Sequence, residues 1–405
     1  MRGMDRRQFI HILTAAGTGF ALIPASRCSS SQPIDEELGL ELPSVQMNAF
    51  ATETVLNSRR SYHSGFSGVL PDQVLANVLW ATGRAPLAGL SRTIYAALPT
   101  EIYRYDPARH ELIRHLAGNH LSLAGLAFEV GIISDVTEDA GIASHFGLLA
   151  ATASWAGTSN QAGFFPSATA MYNATATWNA GTFTFAASYG LMGTVSGMTT
   201  ALVAVSSDGS LPDPSTSSPA ALENVISDLD YGNQFASQDL GIGQVSQIAW
   251  ASYGNTPHLA VNGRAALTSP SSHGEYYLTG RIYIVRSSGT ERYHIRLPGG
   301  DPMTRDHRIE RVTDGDRRPQ LRAAAAGLPP SAPVYFVYCA TAISLAQQLE
   351  GGFAAAGALI QATSSGLRGY VTTGFTEAER LAIIAALGIP AGDLPMLIVS
   401  AGLPS

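Results

Sequence analysis

The sequence predicts an α+β protein made of two divergent copies of one unit within a single chain. Two segments, residues 138–165 and 349–376, align without a gap at an offset of 211 residues. The same order of predicted helices and strands precedes both segments. Residues 206–221 are rich in Pro, Ser and Asp and predict a linker between the copies. We therefore predict a first unit over residues 55–205 and a second over residues 222–405.

The gapless match consists of small and apolar residues that recur at the same positions. Gly141 matches Gly352, and the Gly-Phe pair at 163–164 matches the pair at 374–375. We interpret each segment as a helix rich in small residues, a turn and a buried strand. A chance likeness between two Ala- and Gly-rich helices is the alternative.

A second match lies upstream, where a predicted helix ends in a tryptophan-containing motif in both copies. Residues 79–83 read LWATG, and residues 249–254 read AWASYG. An arginine follows each motif, Arg92 in the first copy and Arg264 in the second. A tyrosine-rich strand is predicted after each arginine, so the second copy repeats the order of the first, with insertions.

Composition excludes several classes of function. All 24 basic residues are arginines, so a Schiff-base lysine and a phosphate-loop lysine are excluded. The net charge of -7 argues against nucleic acid as a partner, because proteins that bind nucleic acid usually present a basic surface. Of the two cysteines, Cys28 lies in the leader and only Cys339 lies in the predicted fold, so no intramolecular disulfide is expected.

Residues 1–30 predict a targeting leader that is not part of the fold. Residues 5–11 read DRRQFIH and resemble a twin-arginine signal followed by an apolar stretch. We expect the twin-arginine machinery to export the folded protein, to the periplasm or otherwise out of the cytoplasm. The apolar stretch is too short for a stable membrane span. A lipid anchor at Cys28 is disfavoured because Arg27 precedes it, and a chance arginine pair before a buried helix is the alternative reading.

Two groups of polar residues are candidates for binding. The first is a basic turn whose guanidinium, hydroxyl and imidazole groups suit a phosphate; it contains Arg59, Arg60, Ser61 and His63. The second is a loop that offers hydroxyl and backbone N–H groups to a polar ligand; it contains Pro270, Ser271, Ser272, His273 and Gly274. An ordinary surface turn is the alternative for each group.

Together these segments resemble the nitroreductase-like flavoprotein superfamily, near the branch of oxidases that form thiazole and oxazole rings in peptides. The motifs that carry the likeness are the Arg-Arg-Ser turn, LWATG at 79–83, YRYDP at 103–107, the loop at 264–276 and the segment at 352–375. The resemblance extends over most of the chain after the leader. It implies a central mixed or antiparallel sheet wrapped by helices in each unit.

In that superfamily two identical subunits share each flavin, with the arginine turn of one subunit and the Pro-Ser loop of its partner. The resemblance therefore implies an intrachain pseudo-dimer with one flavin mononucleotide (FMN) between its halves, so that further oligomerisation is not required. It also implies that a turn with Asn160, Gln161 and Gly163 lies near the flavin ring. It identifies no catalytic residue, electron donor or small-molecule substrate, and no metal is expected.

The two copies depart from the family pattern in different ways. The first copy has the arginine turn, with residues 93–98 in place of the Pro-Ser loop. The second copy has the loop, with residues 234–239 near the place of the arginine turn. We predict one complete composite site and one incomplete site. A further phosphate-binding cation is expected from the second copy, either Arg281 or Arg368.

The sequence supports two hypotheses of function. The first is an FMN-dependent oxidoreductase of nitroreductase type, in which the protein binds and orients the flavin toward an organic substrate. The second is a degenerate, non-catalytic binding protein that keeps the paired fold without the flavin, because a fold alone does not guarantee activity. Bound flavin in the purified protein would distinguish the two.

Overall fold

A computed structural model describes residues 39–62, 65–66, 69–155, 162–166, 177–191, 203–204, 209–260, 263–295 and 304–405. The predicted leader at 1–30 lies outside these residues, as do His63, Asn160 and Gln161. Leu38–Ser405 forms one compact unit. In the part of the chain that the structure describes, no helix is both long and apolar enough to cross a membrane.

The strands form two antiparallel sheets with helices packed between and around them. The first sheet has the order β1-β4-β3-β2-β5-β7-β6 and the second β14-β12-β11-β15-β17-β16. The first sheet contains β1 (Leu40–Glu41), β2 (Arg92–Ala97), β3 (Glu101–Asp106), β4 (Glu111–Ala117), β5 (Phe128–Ser134), β6 (Ala162–Pro166) and β7 (Phe185–Leu191). The second contains β11 (Ile282–Arg286), β12 (Gly289–His294), β14 (Arg308–Asp314), β15 (Val334–Ala340), β16 (Arg368–Thr372) and β17 (Leu394–Gly402).

The remaining strands form two small ladders. An antiparallel pair consists of β9 (Asn255–Leu259) and β10 (Ala265–Leu267), and a parallel pair consists of β8 (Val203–Ala204) and β13 (Thr304–Arg305). The described helices are α1 (Thr52–Ser58), α2 (Asp72–Arg84), α3 (Thr137–Trp155), α4 (Leu222–Ser227), α5 (Ile242–Tyr253), α6 (Arg318–Ala324), α7 (Leu345–Ser364) and α8 (Glu377–Leu387). The protein is therefore an α+β protein, as the sequence predicts.

The two sheets have the same order of strands relative to the chain, apart from the extra strand β1. On one side of each sheet lie three strands that follow one another along the chain within that sheet, β2, β3 and β4 in the first sheet and β11, β12 and β14 in the second. The strand that precedes the long helix, β5 or β15, lies next to β2 or β11. By this order β2 corresponds to β11, so the counterpart of Arg92 is Arg281 and the predicted match with Arg264 is wrong. The insertion in the second copy is the β9–β10 hairpin with the loop that follows it.

The gapless match of the two copies holds through the long helices and ends with them. β6 contains the Gly-Phe pair at 163–164, whereas the pair at 374–375 comes after β16 has ended at Thr372. The predicted match of these two pairs is therefore wrong, because the connection from helix to strand is shorter in the second copy.

The long helices α3 and α7 cross at the centre of the molecule. They consist mostly of Ala, Gly and other apolar residues on all sides, which is the pattern of a fully buried helix. Gly141 and Gly352, the matched pair of the repeat, meet there, and a Cβ on Gly141 would lie 3.0 Å from Gly352 Cα and 2.5 Å from Leu349 O. These glycines allow the two backbones to approach more closely than larger residues would permit.

The starts of α1 and α4 are joined by reciprocal hydrogen bonds. Thr52 N donates to Ala220 O at 2.9 Å, and Leu222 N donates to Phe50 O at 3.1 Å. Thr52 and Leu222 are the first residues of the two helices. Contacts in which each element makes the same bond to the other are typical of a two-fold interface. The helices between the sheets share one continuous hydrophobic core.

Candidate functional site

The side chain of Arg59 extends from the first copy into the second. Helix α1 ends at Ser58, so Arg59 follows as its C-cap with an extended backbone. Arg59 is only 2% exposed. Its Nε donates to Thr268 O at 2.9 Å, and its Nη2 donates to Leu267 O at 2.9 Å. The basic turn of the first copy thus contacts the end of β10, directly before the Pro-Ser loop of the second.

Burial leaves the charge of Arg59 incompletely compensated. Loss of hydration lowers the pKa of its guanidinium to about 10, although nearby Tyr276 acts in the opposite direction. The side chain also donates from Nη1 to Ser61 Oγ at 3.4 Å. The net fall in pKa means that these contacts offset only part of the desolvation cost. A nearby anion would restore the balance.

Two buried histidines lie near the basic turn. Burial, and to a smaller extent Arg59, lowers the pKa of His145 to about 3. Burial, followed by Arg60 and Arg59, lowers the pKa of His258 to about 3. Both imidazoles are therefore neutral near pH 7. No motif in the sequence distinguishes these two from the other dispersed histidines.

The imidazole of His145 makes one hydrogen bond across the central helix pair. Its Nδ1 donates to Phe353 O at 2.6 Å. Its Nε2 is buried and accepts no hydrogen bond from any described residue. An unpartnered buried polar atom is uncommon in folded proteins, and a ligand or an ordered water is a common explanation.

The Pro-Ser loop is held in shape by its own side chains. Ser271 Oγ accepts a hydrogen bond from Tyr276 N at 2.8 Å, and Tyr276 OH accepts one from Leu267 N at 3.3 Å. A short 3-10 helix, Ser272–Gly274, lies between them. Tyr276 has a φ of 53°, a left-handed conformation that is uncommon for a residue with a side chain. Hydrogen bonds within the loop and to β10 therefore support this conformation.

A buried glutamate lies beneath the loop. Glu350 Oε1 accepts hydrogen bonds from Leu278 N at 3.0 Å and from Tyr253 OH. Burial raises the pKa of Glu350 to about 7, and Ser271 moderates this rise. Sequence analysis missed this residue because a single Glu in an apolar helix carries no motif. The repeat alignment gives one available signal, since it places Glu350 opposite Asp139 of the first copy.

The described residues of the basic turn lie next to the start of the Pro-Ser loop. Arg59 and Ser61 lie beside β10, which leads into the loop containing Pro270, Ser271, Ser272, His273 and Gly274. The side chain of Arg60 contacts Tyr62. Gly163 lies in the edge strand β6, paired with Gly190. His63, Asn160, Gln161 and the side chain of His273 lie outside the described residues.

The equivalent place on the other side of the molecule is occupied by different residues. Counted from Thr52 and Leu222, the first residues of α1 and α4, Leu229 and Asp230 stand at the positions of Arg59 and Arg60. Residues 234–239 come later in the chain, so their predicted place near the arginine turn is off by five residues. The Asp230 carboxylate binds Arg368, with Nε and Oδ1 2.6 Å apart. Arg368 therefore already pairs with a carboxylate of its own copy, and its role as a phosphate-binding cation stays a prediction.

The counterpart of the Pro-Ser loop in the first copy is the short segment 85–91, between α2 and β2. Residues 93–98 are predicted to replace the loop, but they lie mostly in β2, which corresponds to β11. Arg92 donates from Nη1 to Ala85 O at 2.8 Å and pairs with buried Asp139. An internal ion pair therefore occupies this side.

A solved structure from Anabaena variabilis, a candidate nitroreductase, matches the chain across both sheets. The match covers 86% of this chain and 94% of that one, with a TM-score of 0.59 and 12% sequence identity. The chain has the nitroreductase fold. The superfamily resemblance in the sequence is therefore confirmed at the level of the fold.

Other proteins with the nitroreductase fold match about half of the chain. A candidate nitroreductase from Ralstonia eutropha is 22% identical and covers 49% of this chain and 89% of its own, with a TM-score of 0.40. The E. coli microcin synthetase McbBCD, solved with truncated pro-MccB17 bound, is 15% identical and covers 44% and 70%, with a TM-score of 0.34. No protein-family profile and no curated protein matches the sequence.

Proposed function

We propose that this protein is an FMN-dependent oxidoreductase of nitroreductase type, with one flavin held between two halves that form an intrachain pseudo-dimer. The observation that carries this proposal is the position of Arg59, a buried cation from the first half that contacts Leu267 and Thr268 of the second. In the superfamily that the sequence resembles, one subunit contributes the arginine turn and its partner contributes the Pro-Ser loop to the same flavin.

The described residues fit a ligand that carries a phosphate. Arg59 is a buried cation whose pKa is lowered to about 10 by burial, so a nearby anion would stabilise its charged form. The unpartnered Nε2 of neutral His145 can only accept a hydrogen bond, so it suits a hydroxyl or N–H group of the ligand and not its phosphate. Arg59, Arg60 and Ser61 would hold the phosphate, and the hydroxyls of Ser271 and Ser272 would hold other polar atoms of the ligand.

FMN supplies hydride or electron transfer to and from an organic substrate when it is bound. The residues of this chain bind and orient the ligand. Arg59 neutralises negative charge at a place that water does not reach, where electrostatic interactions are strong. The loop that ends in Tyr276 offers hydroxyl and backbone groups in a fixed arrangement.

The asymmetry of the two sides favours one flavin per chain. Leu229 and Asp230 stand where the composite site has Arg59 and Arg60, and Asp230 is already paired with Arg368. A phosphate on that side would meet a carboxylate in place of an arginine. The incomplete side is therefore occupied by ion pairs within each half, Arg92 with Asp139 and Arg368 with Asp230.

We also propose that the twin-arginine leader exports the protein with its flavin already bound. That route transports folded proteins, which suits a cofactor inserted in the cytoplasm. Nicotinamide donors are scarce outside the cytoplasm, so the proposed electron donor is a different reductant. An export assay with the arginine pair at positions 6 and 7 changed to alanine tests this: loss of export is expected, and unchanged export would contradict it.

The proposal is tested by the flavin content of the purified full chain. We expect a yellow protein with one FMN per chain, measured by absorbance after the flavin is released. R59A should lose most of the bound flavin because it removes the buried cation. R114A is the matched control, because Arg114 is 42% exposed and pairs with Glu101 at the surface.

Two outcomes would contradict the proposal. A colourless wild-type protein that does not bind added FMN would favour the degenerate binding protein. Full flavin retention in a folded R59A variant would place the flavin elsewhere. Circular dichroism of R59A distinguishes loss of binding from loss of fold, and R59K tests whether charge alone suffices without the planar guanidinium.

A further inference from the structure

One buried side chain connects the Pro-Ser loop to the central helix. Glu350, in the second turn of α7, is 1% exposed. Its Oε1 accepts a hydrogen bond from Leu278 N, at the end of the loop at 270–278, and another from Tyr253 OH at the end of α5. Ser271, near the start of the loop, faces the same carboxyl group. Glu350 therefore contacts both ends of the loop.

The equivalent carboxyl group of the first copy, that of Asp139, also anchors the segment before the first long strand, but it has an arginine as counter-ion. Asp139, near the start of α3, accepts a hydrogen bond from Ala88 N at 2.8 Å and so anchors segment 85–91, the counterpart of the loop. Asp139 also has a counter-ion, Arg92, and neither side chain of that pair is more than 6% exposed. Among the ion pairs of the described residues, none includes Glu350. The second carboxyl group depends on neutral hydrogen-bond donors.

We propose that Glu350 is a positioning residue that holds the loop at 270–278 toward the ligand while it is protonated and releases the loop when it ionises. The inference rests on the proposed flavin site. A carboxylate without a counter-ion is costly to bury, so ionisation favours an arrangement in which water reaches the group. Opening the loop is the smallest movement that admits water, because the loop covers Glu350.

The surroundings of Glu350 make it the group that titrates near neutral pH. Burial raises the pKa of Glu350 to about 7. The ionisable groups that face it are phenols, Tyr253 from α5 and Tyr277 from the loop, and burial raises the pKa of both. On the side of α3, Glu138 is bound to Gln348, and on the side of β17 the neighbours of the helix are apolar.

The first test follows the loop in the flavin-free protein by hydrogen exchange. Above pH 7 we expect protection of the peptide over residues 270–278 to fall by up to about tenfold per pH unit, after correction for intrinsic exchange rates. E350Q keeps a neutral hydrogen-bonding group and should stay protected throughout. E350A lacks the anchor and should be poorly protected at every pH.

The matched control is E129Q, which replaces another buried glutamate with a raised pKa in the first sheet. Loop protection in E129Q should follow the pH dependence of the wild type. A wild-type loop whose protection is constant with pH would overturn the proposal. So would an E350Q loop that opens at high pH as the wild type does.

The second test measures FMN affinity over the same pH range. Wild-type affinity should fall by up to about tenfold per pH unit above 7, and E350Q affinity should not. Equal pH profiles in both proteins would overturn the link between Glu350 and the ligand and leave the flavin function intact. If no FMN binds at any pH, the proposed function fails, and the exchange data still decide whether Glu350 controls the loop.

Discussion

At the scale of single residues, equivalent carboxyl groups in the two copies have different electrostatic environments. D139N should destabilise the protein by about 3–5 kcal/mol, because it leaves buried Arg92 without its counter-ion. E350Q should cost little at neutral pH and should stabilise the protein above it, because the amide carries no buried charge. Urea unfolding of both variants at several pH values measures this difference. Equal losses in D139N and E350Q would contradict it.

Single residues also show how far a sequence can locate a site. The arginine turn is visible because two arginines, a serine and a histidine stand close together in the chain. The partners of Arg59, the carbonyls of Leu267 and Thr268, are invisible, because every residue has a carbonyl group and only the fold brings these two to the guanidinium. Glu350 is missed because only the fold brings α5 and the loop at 270–278 to its position in α7.

At the scale of elements, the crossing of α3 and α7 requires glycine at two equivalent positions. A Cβ at position 141 would lie 2.5 Å from Leu349 O, and one at position 352 would clash with Glu138 O. Both obstacles are backbone atoms, which cannot move aside as a flexible side chain can. G141A and G352A should each destabilise the protein by about 1–3 kcal/mol, measured by chemical denaturation.

The control for these variants is G243A, at an exposed position of α5. A Cβ there meets no atom within 4 Å, and alanine favours a helix over glycine by up to about 1 kcal/mol. G243A should therefore be neutral or stabilising. If G141A and G352A behaved like G243A, the helices would not be in close backbone contact.

At the scale of the whole molecule, buried neutral histidines predict loss of stability in acid. Burial lowers the pKa of His145 and His258 to about 3 and that of His307 to about 4, from an ordinary 6.5. As pH falls, these histidines are therefore protonated at a higher pH in the unfolded chain than in the folded protein. The stability that these groups provide is complete above pH 6.5 and is lost as pH falls toward their folded-state values.

Glu350 acts in the opposite direction. Its pKa is raised from 4.5 to about 7, so its contribution is complete below 4.5 and is lost as pH rises through 7. Burial also lowers the pKa of His294 and raises those of Glu129, Glu138 and Glu223, so the slope of unfolding free energy against pH is the sum of these opposing contributions. Urea titrations at fixed pH measure this slope.

A variant isolates the share of one histidine. H307Q should reduce the slope by up to about 1.4 kcal/mol per pH unit, because the amide does not titrate. His307 lies between Ser246 Oγ, 2.7 Å from its Nε2, and Tyr293 OH, 2.8 Å from its Nδ1. An unchanged slope in H307Q would show that the pKa of His307 is not lowered in the folded state.

The sequence by itself predicted the α+β class and the superfamily resemblance, and it showed the internal repeat and the basic turn, because these depend on the order and periodicity of residues along the chain. Only the tertiary structure showed that Arg281, and not Arg264, stands at the position equivalent to Arg92. It also decided the contact of Arg59 with β10 and the position of Glu350 beneath the loop. Burial and counter-ions, which set the charge state of a side chain, depend on segments far apart in sequence. The repetition and the motif that each copy lacks are therefore visible in the sequence, while the contacts and charge states that distinguish the two sides depend on how the segments pack together.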